Sequence, residues 1–165
     1  MRLGFRIKHH FFSAFREFFV HHHNSLAFRA KTFALVIAAN EDANVENYVI
    51  VKNIAMEIYN NDEDRSNLLM LSTKELVQKV KDNNGLDIDT LVKRIQKDVK
   101  VIPRYAKKID TDSLKQLLEF TYDTDTLSYQ ENILEFLQNL KEETLNSKKE
   151  QIMLDEESLT SSKST

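Results

Sequence analysis

The chain has 165 residues and a formal net charge of −3, with 41% hydrophobic and 30% charged residues, two Gly, one Pro and no Cys. Without Cys, disulfides, thiolate metal sites and Cys nucleophiles are excluded. So few Gly and Pro leave little from which to build the tight turns of a hairpin-rich sheet protein. The length suits one domain with a real core, and the composition suits helices that bury one stripe and wet the other.

Charge is unevenly distributed. Residues 1–31 carry Arg2, Arg6, Lys8, Arg16, Arg29 and Lys31 against Glu17 alone, so a basic head precedes an acidic body. Such asymmetry bears on partners and orientation, not on fold.

In chain order, residues 3–20 are expected to form an amphipathic helix. At about 100° per residue, Phe5, Ile7, Phe11, Phe12, Phe15, Phe18 and Phe19 share an arc of about 160°. Arg2, Arg6, His9, Ser13, Arg16 and Glu17 lie opposite, and Lys8 must snorkel from the apolar side. The charges interrupt any signal-peptide core, and nothing approaches the roughly 18 apolar residues of a membrane span, so a cytoplasmic protein is expected. His21, His22 and His23 make a joint.

A second helix runs from Leu26 to near Asn40, with Leu26, Ala30, Phe33, Ala34, Ile37 and Ala38 on one side. The loop Glu41-Asp42-Ala43-Asn44 follows, and Asn44 is placed to cap a third helix reaching Tyr59. Its stripe is Tyr48, Val51, Ile54, Ala55 and Ile58. The run Tyr48-Val49-Ile50-Val51 suits a strand locally, but the helical spacing continues past it.

A polar joint at 60–65 leads to a short helix over 68–71. Ser72-Thr73-Lys74-Glu75 has capping-box form and is expected to open a new helix ending at Asn83-Asn84-Gly85. Asp87 or Asp89 starts the next, with Ile88, Leu91, Val92, Ile95, Val99 and Ile102 inward, until Pro103. Asp110 to Asp112 start another, with Leu114, Leu117 and Leu118 buried. After Asp123-Thr124-Asp125, Ser128-Tyr129-Gln130-Glu131 reads as a second capping box. It opens a last helix that buries Ile133, Phe136, Leu137 and Leu140 and ends near Leu145. The polar tail 147–165 cannot build a core and is expected to fray or be disordered.

Two segments, 32–58 and 113–140, share one plan: an apolar helix, a short acidic loop, and a capped apolar helix. The fold expected is an all-α compact bundle of about seven to eight helices containing these two pseudo-symmetric units. Its parts are a basic Phe-rich helix and joint at 1–24, a helical domain at 25–146 and the tail at 147–165.

This plan resembles the TerB-like family of helical domains, known from tellurite resistance and from co-chaperone-associated proteins. That family carries Ala-x-x-Asp-Gly-x-Val/Ile-Ser/Asp-x-x-Glu once in each half. Ala39-Asn40-Glu41-Asp42-Ala43-Asn44-Val45-Glu46 matches the first copy, with Ala43 for the usual Gly and Val49 for a usual Glu. In the second copy Leu127, Ser128 and Glu131 match, while Asp-Gly has become Asp123-Thr124-Asp125. The resemblance covers roughly residues 25–145. It implies a stress-response or envelope-associated module whose acidic loops associate with metal.

Glu41, Asp42 and Glu46 in one loop, and Asp123, Asp125 and Glu131 in the other, could supply oxygen ligands to Ca²⁺ or Mg²⁺. Neither loop has an EF-hand pattern. Helix capping explains the same acidic residues without a metal. The basic run Lys93, Arg94, Lys97, Lys100, Arg104, Lys107 and Lys108, broken by Asp98, could contact phosphates. Interleaved aromatics are nearly absent, and a solvated helix face explains the run as well, so nucleic acid is not the expected partner. The consecutive His21, His22 and His23 point in different directions and do not converge on zinc. The Phe face either covers the bundle's own core or docks on a membrane or partner.

No phosphate-cradling glycine loop and no nucleophile–base order occurs. The expectation is a non-catalytic module that binds a protein partner. It is cytoplasmic or peripheral at the inner membrane, with a divalent cation in the acidic loops left open. The alternatives are a nucleic-acid-associated helical protein that uses the basic stripe at 93–108 and a metal-free structural adaptor.

Overall fold

The computed structural model describes residues 25–162. The predicted helix over 3–20, the histidine joint, and Phe5, Phe11, Phe12, Phe15, Phe18 and Phe19 lie outside the described residues, as do residues 163–165.

Among the described residues every regular element is helical. They are α1 (Ser25–Ala38), α2 (Val45–Ile58), α3 (Glu63–Lys81), α4 (Ile88–Val101), a 3₁₀ helix (Pro103–Lys108), α5 (Thr111–Lys115), a second 3₁₀ turn (Gln116–Leu118) and α6 (Thr124–Ser162). The all-α bundle expected from the sequence is the observed architecture.

Helix α1 is the hub. From Phe33 to Ala38 it is buried without interruption, and Leu26, Phe28 and Ala30 are buried as well. An apolar surface around the whole circumference belongs to a core helix, because one neighbour cannot cover it. Helix α1 accordingly packs on α3, α4 and α6, while α2 packs on α3. Val51, Ile54 and Ala55 of α2, Leu69 and Val77 of α3, Leu91, Ile95 and Val99 of α4, and Ile133, Leu134 and Leu137 of α6 complete the core. Burying each large aliphatic side chain contributes about 1.5–3 kcal/mol.

The helix starts follow side-chain chemistry. Asp62, Asp87 and Asp110 accept the backbone N–H of Arg65, Thr90 and Ser113 at 3.1, 2.7 and 3.2 Å. Asn44 precedes α2 as expected, and its own N–H is accepted by Asn47 Oδ1 at 3.1 Å. Gly85 has φ of +73°, the left-handed region that a side chain resists, and lies in the turn between α3 and α4.

Three expectations need correction. First, residues 63–81 form one helix, not a short helix and a capped second one. Ser72 does not cap: its hydroxyl donates to Leu68 O within α3, and Thr73 donates likewise to Leu69 O. Both are fully buried, so these hydroxyls spend their donors on the preceding turn rather than on a new start. Second, α6 begins at Thr124, before Ser128. Asp123 Oδ2 accepts both the N–H and the hydroxyl of Thr126, at 2.8 and 2.7 Å, and fixes the start there. Third, residues 147–162 continue α6 instead of forming an irregular tail. They are exposed throughout and add nothing to the core, as expected, but their composition favours helix even without packing.

The two units of the repeat are unequal. The leading helix of the first is the long α1. That of the second breaks into α5 and a 3₁₀ turn before its loop.

Candidate functional site

The two acidic loops meet. Asn40, at the end of α1, donates from Nδ2 to Thr121 Oγ1 at 3.3 Å. The Thr121 hydroxyl donates to Gln130 Oε1 at 2.7 Å, and Gln130 Nε2 donates to Val36 O at 2.9 Å. At the other end, Asn40 Oδ1 accepts the Asp42 N–H at 2.9 Å. The bonds form one directed chain in which every donor has an acceptor.

Val36 O is open to Gln130 for a local reason. The Asn40 N–H bonds Ile37 O, three residues back, instead of Val36 O, four back. The last turn of α1 is therefore tightened, and the carbonyl it releases needs a partner from elsewhere. A second tie runs in parallel, with Asn47 Nδ2 donating to Leu117 O at 3.1 Å. Asn40, Asn47, Thr121 and Gln130 are all buried. Buried polar groups of this kind hold geometry, because leaving one unpaired costs about 1–3 kcal/mol.

Sequence reading missed these four residues. The available signal was Gln130 on the stripe of Ile133, Leu134 and Leu137, and Asn47 on the stripe of Val51 and Ile54. A polar side chain on a buried face must have a buried partner.

The loop surface above this network is acidic. Glu41, Asp42, Glu46, Asp123, Asp125 and Glu131 are exposed. Among the described residues no three acidic or histidine side chains are gathered closely enough to hold one metal ion. Existing contacts also occupy potential ligands. Lys81 Nζ donates to the carbonyls of Glu41 and Ala43 at 3.2 and 3.4 Å, placing an ammonium on the loop's own oxygens. Asp123 serves as the α6 cap, and the hydroxyl and N–H of Thr126 hold its carboxyl below the usual carboxylate range. Glu131 lies two turns into α6, in an open groove of about 510 Å³ with Asp112, Lys115, Glu135 and Gln138. The residues as placed do not fit a cation site.

Apolar side chains stand among these acids. Tyr122 is 86% exposed, Val45 72% and Val49 52%. The sequence had Val49 in a position where the resembling family carries Glu, and its exposure shows that the position faces outward.

The basic run lies elsewhere. Lys93, Arg94, Lys97, Lys100, Arg104 and Lys107 are exposed and Lys108 is half-buried. Asp98, which interrupts the run in sequence, turns toward α1 and accepts from Lys31 Nζ. Tyr105, the one interleaved aromatic of the run, is buried and stacked on Phe28 with ring centroids 5.1 Å apart. Among the described residues no helix is long and apolar enough to cross a membrane.

Comparison with family models, with curated proteins and with solved structures yields no match. The TerB-like resemblance rests on the loop residues themselves.

Proposed function

We propose that the chain is a non-catalytic, TerB-like helical module of a stress-response or envelope-associated system. It engages a protein partner through its paired acidic loops and is held at a membrane surface by its Phe-rich N-terminal segment. The observation that carries the reading is Tyr122, exposed among Glu41, Asp42, Asp123 and Asp125 on loops that the Asn40–Thr121–Gln130 chain holds together. Exposed aromatics supply the anchors of protein interfaces, and surrounding charge selects the partner and speeds its approach. The partner's chemistry follows: a basic segment with an apolar pocket or side chain for Tyr122.

The geometry favours a metal-free adaptor over a cation sensor, because Lys81 sits on the first loop's carbonyls and Asp123 caps α6. A photo-cross-linking residue placed at Tyr122 in the native host tests the reading. A defined product lost in the Glu41→Gln/Asp42→Asn/Asp125→Asn variant is expected. A product formed equally by that variant, or by a cross-linker placed at Gln96, refutes it.

A further inference from the structure

We propose that the projecting end of α6 pairs antiparallel with the same segment of a second copy of this chain, about a two-fold axis at Ile152.

Residues 146–162 are exposed, yet their sequence is patterned. Leu145, Ile152 and Leu159 recur at intervals of seven, which keeps them on one side of the helix over about four turns. Leu145 is half-buried where α6 leaves the core, and Ile152 and Leu159 carry its line on into solvent. Met153 stands at the edge of this stripe, about 100° round from Ile152, and Leu154 lies nearly opposite it. An apolar stripe of this spacing is the seam along which two helices pack.

Charge decides what the stripe packs against. Lys148 and Lys149 precede Ile152, while Asp155 and Glu156 follow it. None of the four has an opposite charge three or four positions away, where neighbours on its own helix lie. Among the described residues none of them enters an ion pair. At about 100° per residue all four flank the stripe, Lys148 and Asp155 on one side, Lys149 and Glu156 on the other.

An antiparallel second copy centred on Ile152 answers all four charges. It sets Ile152 on Ile152, and Leu145 on Leu159 of the second copy. Like flanks face each other in this arrangement, so Lys148 meets Asp155 of the second copy and Lys149 meets Glu156 of the second copy. The two-fold axis repeats each pair. A parallel pair in register would instead set lysines beside lysines and acids beside acids, which is unfavourable.

Leu145 and Leu159 are about 21 Å apart along the helix, so the two domains stand at opposite ends of the paired segment. The acidic loops precede α6, about 43 Å along it from Ile152, and face outward at both ends of the assembly. The contact is short, so association is reversible and depends on concentration. The core of each domain ends near Leu145, so a domain folds whether or not its projecting end is paired.

The test is sedimentation velocity of the full chain from about 5 µM to about 0.5 mM, a range that reaches contacts of micromolar to millimolar affinity. Expected are a shift of the parent from monomer toward dimer, a monomeric Ile152→Glu/Leu159→Glu variant, and a Leu154→Glu variant that behaves as the parent. Lys148→Glu/Lys149→Glu and Asp155→Lys/Glu156→Lys variants should each associate about tenfold or more weakly, and their equimolar mixture should regain the dimer. The chain has no Cys, so Leu145→Cys and Leu159→Cys chains, mixed and oxidised, report the orientation by forming the mixed disulfide. A parent that stays monomeric overturns the proposal. So does association that survives Ile152→Glu/Leu159→Glu, is lost in Leu154→Glu, or ignores the charge reversals. Disulfides between identical variants, in place of the mixed one, overturn the antiparallel pairing.

Discussion

Asn40 and Thr121, 81 positions apart, share a buried hydrogen bond of 3.3 Å between Asn40 Nδ2 and Thr121 Oγ1. It joins the end of the leading helix of the first helix–loop–helix unit to the loop of the second. Because the Thr121 hydroxyl in turn donates to Gln130 Oε1, the bond is one link of a chain that ends on Val36 O.

Removal of either middle link leaves buried polar groups unpaired. Thr121→Val strands Asn40 Nδ2 and Gln130 Oε1, and Gln130→Leu strands the Thr121 hydroxyl and Val36 O. Each variant should lose about 1–3 kcal/mol, a fall in Tm of roughly 2–4 °C per kcal/mol at this chain length. The double variant should lose less than the sum of the two, by on the order of 1 kcal/mol, since the link between them is counted twice. Denaturant unfolding of the three variants measures the coupling, and strict additivity would mean that the chain does not act as a unit.

The capping aspartates make stability depend on acid pH. Side-chain and backbone hydrogen bonds from Thr90 lower the pKa of Asp87, and those from Thr126 lower that of Asp123. For Asp110 partial burial raises the value, but the bonds from Ser113 and the nearby Lys141 more than offset it, and the net shift is downward. A folded-state value below the unfolded one favours the native state at every pH above the ordinary carboxylate range, near 3.9 for Asp. That stability is lost as pH falls through this range toward the lowered native values. Asn caps a helix nearly as well without ionising. Urea midpoints for the Asp87→Asn/Asp110→Asn/Asp123→Asn variant should therefore decline less between pH 5 and pH 2.5 than those of the parent. Parallel declines would show that these caps are not the acid-sensitive groups.

Helix α6 outruns its domain. Its inward contacts end near Leu145, and Ile152, Met153, Leu154 and Leu159 are exposed by 48, 61, 60 and 61%. Local bonds such as Gln151 Nε2 to Asp155 Oδ1, at 3.0 Å, are what this stretch has instead of packing. Such pairs contribute about 0.2–0.5 kcal/mol each. Deletion of residues 149–165 should thus change Tm by less than about 2 °C while lowering the helical circular dichroism signal. A larger fall in Tm would reveal a packing role for the projecting end.

The core helices of this fold are legible in the sequence because apolar spacing runs through local ambiguities, whereas the exposed stretch 147–162 has no buried stripe to announce it. The Tyr48–Val51 run is helical, as its continuation through Ile54 and Ala55 requires. Boundaries were less legible, since short patterns compete. Ser72 and Glu75 have capping-box spacing, yet Leu69 and Val77 carry the same buried stripe across them, and the helix runs through. The candidate site was legible as two acidic loops but not as one surface. Nothing local in Asn40, Thr121 or Gln130 announces a partner on another element. Only the placement of polar groups on buried faces hints that they must meet. The inward turn of Asp98 was equally hidden, because it depends on Lys31 arriving from α1.

Amide hydrogen exchange in the Thr121→Val variant tests most directly whether the two loops form one mechanical unit. The Asp42 N–H is held by Asn40, whose side chain is in turn anchored by Thr121. Exchange should therefore quicken at residues 40–44 as well as around the substitution, with α2 and α3 little changed. Faster exchange confined to residues 117–130, with the first loop as protected as in the parent, would contradict the coupling.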